Sequence, residues 1–137
     1  MKSALRSAAL RGVQVTLVMP SEIDSPLVAA ASRAHWLDLL ESGIRITLYR
    51  GGLLHAKTMT VDRRIGLIGS ANIDMRSFWL NFEITLLLFD DDFASVLRFM
   101  QTSYIENSDE LSADVFRRRS RLLVFAEQCA KLAGPLL

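Results

Sequence analysis

Helix-type and strand-type segments alternate over residues 3–49, and this order constrains the fold more than any other feature of the sequence. The apolar spacing predicts a helix over 3–11 and a strand over 13–19, then a helix over 27–42 and a strand over 44–49. A glycine, the residue that most often ends helices, follows each predicted helix: Gly12 and Gly43. The alternation predicts an α/β layered domain, with a mixed β-sheet flanked by helices.

The second half of the chain adds a β-hairpin, another strand and a long helix. Strands over 54–61 and 65–68 are predicted to pair through a turn that contains Asp62. A further strand over 81–89 leads to a helix over 90–107. Acidic residues in the first turn of that helix favour capping over metal binding, because the helix dipole stabilises negative charge there.

Residues 112–133 predict a last, bent helical region. We therefore expect residues 1–137 to form a single domain whose C-terminal helical tail covers 112–137. An α/β domain usually begins with a strand that feeds its first helix. Because this chain opens on a helix, we expect that the first strand is missing.

Charge and cysteine content exclude some classes of protein. The formal net charge is +1, so global electrostatics do not favour nucleic acid as a partner. The single cysteine, Cys129, rules out an internal disulfide and is predicted to be a small buried apolar residue. Apolar runs such as Leu86–Phe89 are too short to span a bilayer, so any membrane contact of this chain is expected to be peripheral.

His55 and Lys57 are the first candidate site residues. Residues two apart on a strand point to the same face, so their side chains are expected to project together. An imidazole can attack phosphorus or exchange a proton near pH 7, and an ammonium neutralises phosphate oxygens. This pair therefore suits phosphodiester chemistry.

The return strand is expected to bring a second group of residues alongside. The Ser70 hydroxyl and the Asn72 amide can donate hydrogen bonds to the same phosphate oxygens, while Gly69 allows close approach of the backbone. Asp62 at the turn can hold the loop or a neighbouring cation. Each residue taken alone is more often structural, but the joint pattern of six residue types at fixed spacing rarely occurs by chance.

This joint pattern, His55-x-Lys57-x4-Asp62 followed by Gly69-Ser70-x-Asn72, resembles the phospholipase D superfamily signature. Residues 51–57 and 72–83 resemble bacterial cardiolipin synthases in particular, and the similarity runs over nearly the whole chain. The resemblance implies a phospholipase D-like layered fold. It also implies that Glu83 accepts a hydrogen bond from the motif histidine and fixes its tautomer.

The resemblance implies a phosphatidyltransferase of phospholipid biosynthesis that converts two phosphatidylglycerols into cardiolipin and glycerol through a phosphohistidine. Such enzymes place two motifs around one pocket and need no metal or other cofactor. His55 is then expected to act as the acid/base, with Lys57 and Asp62 as further catalytic residues. Lys57, Ser70 and Asn72 are expected to bind the phosphate. The expected location is the bacterial inner membrane, or the cytoplasm for an isolated fragment.

The sequence carries one motif, so it leaves three hypotheses open. The favoured one is a C-terminal half that needs an N-terminal half with the other motif. The second is a homodimeric phosphodiesterase or nuclease in which a second copy supplies the other histidine. The third is an inactive truncated remnant. His35, which lacks a lysine two residues on, is assigned to a helix surface or to packing.

Four arginines between Arg117 and Arg121 stand beside apolar residues on one predicted helix. Basic side chains near an anionic bilayer contribute about 1 kcal/mol each, so this cluster suits either a membrane surface or a solvated helix face. The sequence does not decide between these two roles.

Overall fold

The computed structural model describes residues 2–23, 25–52, 54–70 and 84–133, and for Arg121 and residues 131–133 it describes the backbone. The helices are α1 (Lys2–Leu10), α2 (Pro26–Arg33), α3 (Trp36–Glu41), α4 (Asp91–Glu106), α5 (Ala113–Arg117) and α6 (Arg121–Ala133). The strands are β1 (Thr16–Pro20), β2 (Arg45–Tyr49), β3 (Thr58–Val61), β4 (Ile65–Gly69), β5 (Thr85–Phe89) and β6 (Ser108–Glu110).

The first sheet has the order β1-β2-β6 and is mixed, as predicted. Strands β1 and β2 are parallel, with Thr16 opposite Arg45, and β6 pairs antiparallel with β2. Strand β6 was not predicted, because its three residues are polar and lack the apolar alternation of a strand. It forms through pairing with β2, and an ion pair between Arg45 and Glu110 at 2.8 Å links the two strands.

The second sheet has the order β3-β4-β5 and is antiparallel throughout. The predicted hairpin is present, but its first strand begins at Thr58 rather than at residue 54. Both residues at the start of the turn have positive φ, 50° at Asp62 and 56° at Arg63. Aspartate is one of the few residues other than glycine that tolerates this conformation.

The predicted continuous helix over 27–42 is wrong, because the chain breaks between Arg33 and Trp36. His35 stands at this break as the residue that precedes α3, and not inside a helix. The break lets α3 turn Trp36 into the core, where 4% of the residue is exposed. Helix α2 packs on α6 instead. The predicted ends are confirmed, since Pro26 begins α2 and Gly43 has φ of +85°.

The hydrophobic core lies between the first sheet and the helices α3 and α5. Its buried members are Trp36, Leu39, Ile44, Ile46 and Phe116. The Trp36 and Phe116 rings are 6.0 Å apart between centroids, in a tilted arrangement suited to aromatic pairs. The predicted α/β layering is thus confirmed.

Helix α4 supports the second sheet from one side. The Asp90 side chain accepts a hydrogen bond of 2.7 Å from the Phe93 amide, so the predicted capping role of this acidic cluster is confirmed. A Cβ built on Gly66 of β4 would lie 2.6 Å from the Phe93 ring. Glycine at this position therefore lets the helix approach the strand.

Two predictions about the C-terminal region are wrong. Cys129 is exposed rather than buried. The arginines do not share one helix, because α5 ends at Arg117 and α6 begins at Arg121. Arg117 donates to Glu41 at 2.8 Å, and this hydrogen bond is the main cause that raises the pKa of Arg117 above its ordinary value. Part of the cluster therefore serves internal contacts.

Among the helices that the structure describes, none has the length and apolar character needed to cross a membrane.

Candidate active site

Four of the predicted site residues, His55, Lys57, Gly69 and Ser70, lie at the end of the second sheet opposite the hairpin turn. Lys57 directly precedes β3, Gly69 ends β4 and Thr85 begins β5. The Gly69 amide donates a 2.9 Å hydrogen bond to the Lys57 carbonyl, and Gly69 stands opposite Thr85 in the sheet register. The three chain segments are therefore held side by side where the motif places its polar residues.

His55 and Lys57 lie just before β3, so their predicted position on a strand is wrong. Their side chains nevertheless meet, with Lys57 Nζ 2.5 Å from His55 Nε2. A protonated lysine can only donate, so Nε2 must carry a lone pair and the imidazole proton must sit on Nδ1. The expected pairing of an imidazole with an ammonium is thus present, with Nε2 in the acceptor state.

Ser70 bonds with Ile84, the residue that precedes β5. The Ser70 amide donates to the Ile84 carbonyl at 3.0 Å, and the Ile84 amide donates to Ser70 Oγ at 3.0 Å. The hydroxyl also lies 3.4 Å from Ile84 O, as a donor. These contacts direct the Ser70 side chain to the neighbouring chain segment, a partner that sequence reasoning did not foresee.

Gly69 provides the close approach that was predicted for it. A Cβ at this position would lie 2.6 Å from Thr85 Oγ1 and 3.0 Å from the Ile84 carbonyl. Any larger residue would therefore push β4 away from β5 at the site. The backbone that approaches Gly69 is the neighbouring segment of the same sheet.

Asp62 lies at the opposite end of the hairpin from His55 and Lys57. An extended chain rises about 3.3 Å per residue, so the five steps from Lys57 to Asp62 separate the two residues by up to about 16 Å. Its positive φ gives it a role in the turn. The catalytic role of Asp62 stays a prediction, and the structure does not bring this residue to the others.

Asn72 and Glu83 lie outside the described residues. In the sequence, Asn72 follows Ser70 by two positions and Glu83 directly precedes Ile84. Their predicted contacts with phosphate and with the histidine stay predictions.

Sequence reasoning missed a polar contact that fixes β3 next to the site. The Gln101 side chain of α4 accepts from Thr60 Oγ1 at 2.7 Å and donates to Thr58 Oγ1 at 3.1 Å. Thr58 follows Lys57 directly, so this contact anchors the strand that begins next to the ammonium-bearing residue. The alternation Thr58-x-Thr60 signals one polar strand face, but no local pattern identifies glutamine as its partner.

The described residues contain no group of histidine, cysteine, aspartate or glutamate that could hold a metal ion. What they do present is an exposed imidazole, an ammonium and hydrogen-bond donors at one sheet end. Such a set can bind a phosphodiester and move a proton at Nε2.

The fold is that of a phospholipase D family protein. A solved structure of a phospholipase D family member, Nuc from Salmonella typhimurium, superposes with a TM-score of 0.66 at 18% identity. The match covers 80% of this chain and 72% of that one.

The family described as "Cardiolipin synthase, PLD-like domain" matches residues 1–101, and the chain belongs to this family. Cardiolipin synthase A from Serratia proteamaculans is 44% identical over 134 residues, and that from Proteus mirabilis is 42% identical. Both matches cover 98% of this chain and 28% of the relative. The predicted resemblance is thus confirmed, and the chain spans little more than a quarter of these relatives.

Proposed function

We propose that the chain is one half of the catalytic apparatus of a phosphatidyltransferase that makes cardiolipin and glycerol from two phosphatidylglycerols. The contact between Lys57 Nζ and His55 Nε2 carries this proposal. The contact holds the Nε2 lone pair toward the ammonium, so that when a substrate phosphate takes over Lys57, Nε2 can exchange a proton beside a positive charge. Membership of the cardiolipin synthase family supplies the substrate class.

In this proposal the histidine of a second motif attacks the phosphorus of the first phosphatidylglycerol. The bond from phosphorus to the glycerol oxygen breaks, and protonated His55 gives its proton to that oxygen. His55, now neutral, then takes the proton of a hydroxyl on the second phosphatidylglycerol. The oxygen attacks the phosphohistidine, the phosphorus–nitrogen bond breaks, and cardiolipin is released.

The other motif residues take supporting roles. Lys57 neutralises the phosphate oxygens as charge redistributes in the transition state. Asn72 donates to the same oxygens, and Glu83 accepts from His55 Nδ1–H, the proton position that the lysine contact requires. Ser70 and Gly69 hold β4 against β5 at the base of the segment that bears Asn72 and Glu83. Asp62 supports the site indirectly, by adopting the positive φ that the hairpin turn requires.

Co-expression with an N-terminal half that carries the other motif tests the proposal. We expect cardiolipin to form from phosphatidylglycerol with the unaltered chain and to be lost with His55→Ala. His35→Ala, which replaces the other histidine, is the matched control and should keep activity. Cardiolipin production by the His55→Ala variant would overturn the assignment.

A homodimeric phosphodiesterase is the second candidate, and strand β5 favours it. Among the strands that the structure describes, β5 lies at one edge of its sheet, and all five of its residues are exposed, four of them apolar. Such a surface suits a partner chain, and a second copy would bring a second His55. Light scattering on the purified chain, with assays on DNA and phosphatidylglycerol, separates the two candidates. A dimer that cleaves DNA without a partner half supports the second.

The proposed location is the bacterial inner membrane, with the chain as a peripheral part, or the cytoplasm if the chain is an isolated fragment.

A further inference from the structure

The residues that carry the contact between His55 and Lys57 lie outside the regular sheet. Residues 54–57 belong to neither a helix nor a strand, and β3 begins directly after them at Thr58. The sheet holds this segment at its end, where the Lys57 carbonyl accepts from the Gly69 amide. The alignment of the imidazole with the ammonium therefore depends on how firmly the chain on either side of them is fixed.

Gln101 of α4 fixes the chain on the C-terminal side of the pair. Its Nε2 donates to Thr58 Oγ1 at 3.1 Å, and its Oε1 accepts from Thr60 Oγ1 at 2.7 Å. Both threonines point to the same face of β3, because they are two residues apart on a strand. One half-buried amide therefore fixes the position and the rotation of the start of β3, directly after Lys57.

The same helix also fixes the chain on the N-terminal side of the pair. The Tyr104 ring of α4 contacts the Tyr49 ring edge-on, with 5.4 Å between their centroids. Tyr49 lies against the backbone of Gly51, where a Cβ would collide with the tyrosine ring. The Arg50 amide donates to the Asn107 carbonyl, at the end of α4, at 3.0 Å. Helix α4 therefore contacts the chain both before and after the motif pair.

Packing of α4 on the second sheet does not require a glutamine at position 101. Phe93 and Leu97 already supply apolar contacts, since a Cβ on Gly66 of β4 would lie 2.6 Å from the Phe93 ring and 3.4 Å from Leu97. Gln101 stands one turn further along, and both ends of its amide bond to β3. Hydrogen bonds fix direction as well as distance. The contact of Gln101 therefore suits the alignment of β3.

We propose that Gln101 is a positioning residue of the active site, which holds Thr58 so that the Lys57 ammonium meets His55 Nε2. The inference rests on the proposed function for the reaction that this pair performs, whereas the alignment itself is a property of the chain without substrate. Without Gln101, the threonine hydroxyls turn to water and the start of β3 gains freedom. The ammonium then donates to Nε2 for a smaller fraction of the time.

Nitrogen NMR of the full chain, with labelled histidine, tests the proposal without any turnover. The ratio of the Nδ1-protonated to the Nε2-protonated form of neutral His55 reports the lysine contact. Gln101→Met keeps the length of the side chain and removes both hydrogen bonds. The ratio should fall about fivefold, the factor that corresponds to one net hydrogen bond. An unchanged ratio in the folded variant overturns the proposal.

Thr58 supplies a second pair of variants, which decides the question if Gln101→Met does not fold. Thr58→Val keeps the shape of the side chain and removes its hydroxyl, so it should lower the ratio as Gln101→Met does. Thr58→Ser retains the hydroxyl and should keep the ratio of the unaltered chain. An unchanged ratio in Thr58→Val overturns the proposal, as does an equal fall in both threonine variants.

Asp90→Ala is the matched control for a loosened helix. It removes the side-chain cap at the other end of α4 from Gln101. Asp90→Ala and Gln101→Met should each lower the midpoint of thermal unfolding by about 4 °C. Asp90→Ala should nevertheless leave the tautomer ratio of His55 unchanged. Equal falls of the ratio in the two variants would show that Gln101 acts through the stability of α4, and would overturn the proposal.

Turnover by the chain assembled with an N-terminal half separates this inference from the proposed function. Gln101→Met should lower kcat about tenfold and keep KM within about threefold, because a misaligned acid/base loses transition-state stabilisation. If His55→Ala still forms cardiolipin while Gln101→Met lowers the tautomer ratio, the proposed function fails and the positioning role stands. If His55→Ala abolishes activity while Gln101→Met changes neither the ratio nor kcat, the positioning role fails and the proposed function stands.

Discussion

The Ile84 amide donates to Ser70 Oγ at 3.0 Å, and the Ser70 amide donates to the Ile84 carbonyl at the same distance. These two residues flank the segment 71–83, which carries Asn72 and Glu83 in the sequence. The bonds hold both ends of that segment together, next to Gly69 and Lys57. Ser70 thus has a structural partner at the place where the motif suggests a phosphate donor.

Ser70→Ala separates these two roles. If Ser70 holds the chain ends, the free energy of unfolding should fall by about 1 kcal/mol. Turnover by the assembled enzyme should fall about ten- to a hundredfold, because displaced catalytic groups lose their alignment. Ser70→Thr keeps the hydroxyl and serves as control. Urea unfolding and steady-state kinetics measure both effects, and lost turnover with unchanged stability would assign the hydroxyl to the substrate instead.

The tautomer of His55 provides a second prediction. Because Lys57 donates to Nε2, we expect neutral His55 to carry its proton on Nδ1. Nitrogen NMR of histidine-labelled protein reports the protonated nitrogen directly. Lys57→Met should shift the population toward the Nε2-protonated form, and His35→Gln identifies the signals by elimination. A predominantly Nε2-protonated His55 in the unaltered chain would contradict the contact.

Replacement of Asp62 tests a role in the turn. Asp62→Asn and Asp62→Gly should keep turnover within about threefold, because both residues tolerate positive φ. Asp62→Val should lower the free energy of unfolding by about 1–2 kcal/mol, since the Cβ opposes this conformation. Kinetics and thermal unfolding check the two expectations. A folded Asp62→Asn variant without turnover would restore the predicted catalytic role.

The pair of Arg119 and Glu127 should be worth more to stability than surface pairs. Arg119→Met leaves Glu127 buried without its cation and should cost about 3–5 kcal/mol of unfolding free energy. Arg45→Met breaks a pair whose side chains are 50% and 58% exposed, and it should cost less than about 1 kcal/mol. Denaturant unfolding of the two variants and of the unaltered chain measures both losses of unfolding free energy. Similar losses would show that burial of Glu127 does not govern the stability of this region.

Features set by neighbouring residues were predictable from the sequence. Gly12 and Gly43 mark helix ends because they adopt φ of +91° and +85°, and Asp90 caps its own helix. The pairing of His55 with Lys57 was also predictable, since the two residues are close in the chain.

Features set by distant residues were not predictable. The break before Trp36 follows from its packing with Phe116, and β6 exists because β2 pairs with it. The partner of Ser70 is Ile84, which lies 14 positions away, and no periodicity in the sequence indicates this contact.

Strand β5 has a consequence for laboratory work on this chain. Leu86 is 59% exposed and Leu87 is 52% exposed, and neighbouring strand residues point to opposite faces. Purified material will therefore tend to precipitate as concentration rises, because one sheet edge can add to another. Leu87→Lys should raise solubility, because a charge on an exposed edge strand opposes pairing with another copy. Leu87 lies outside the motif, so the motif residues stay unchanged.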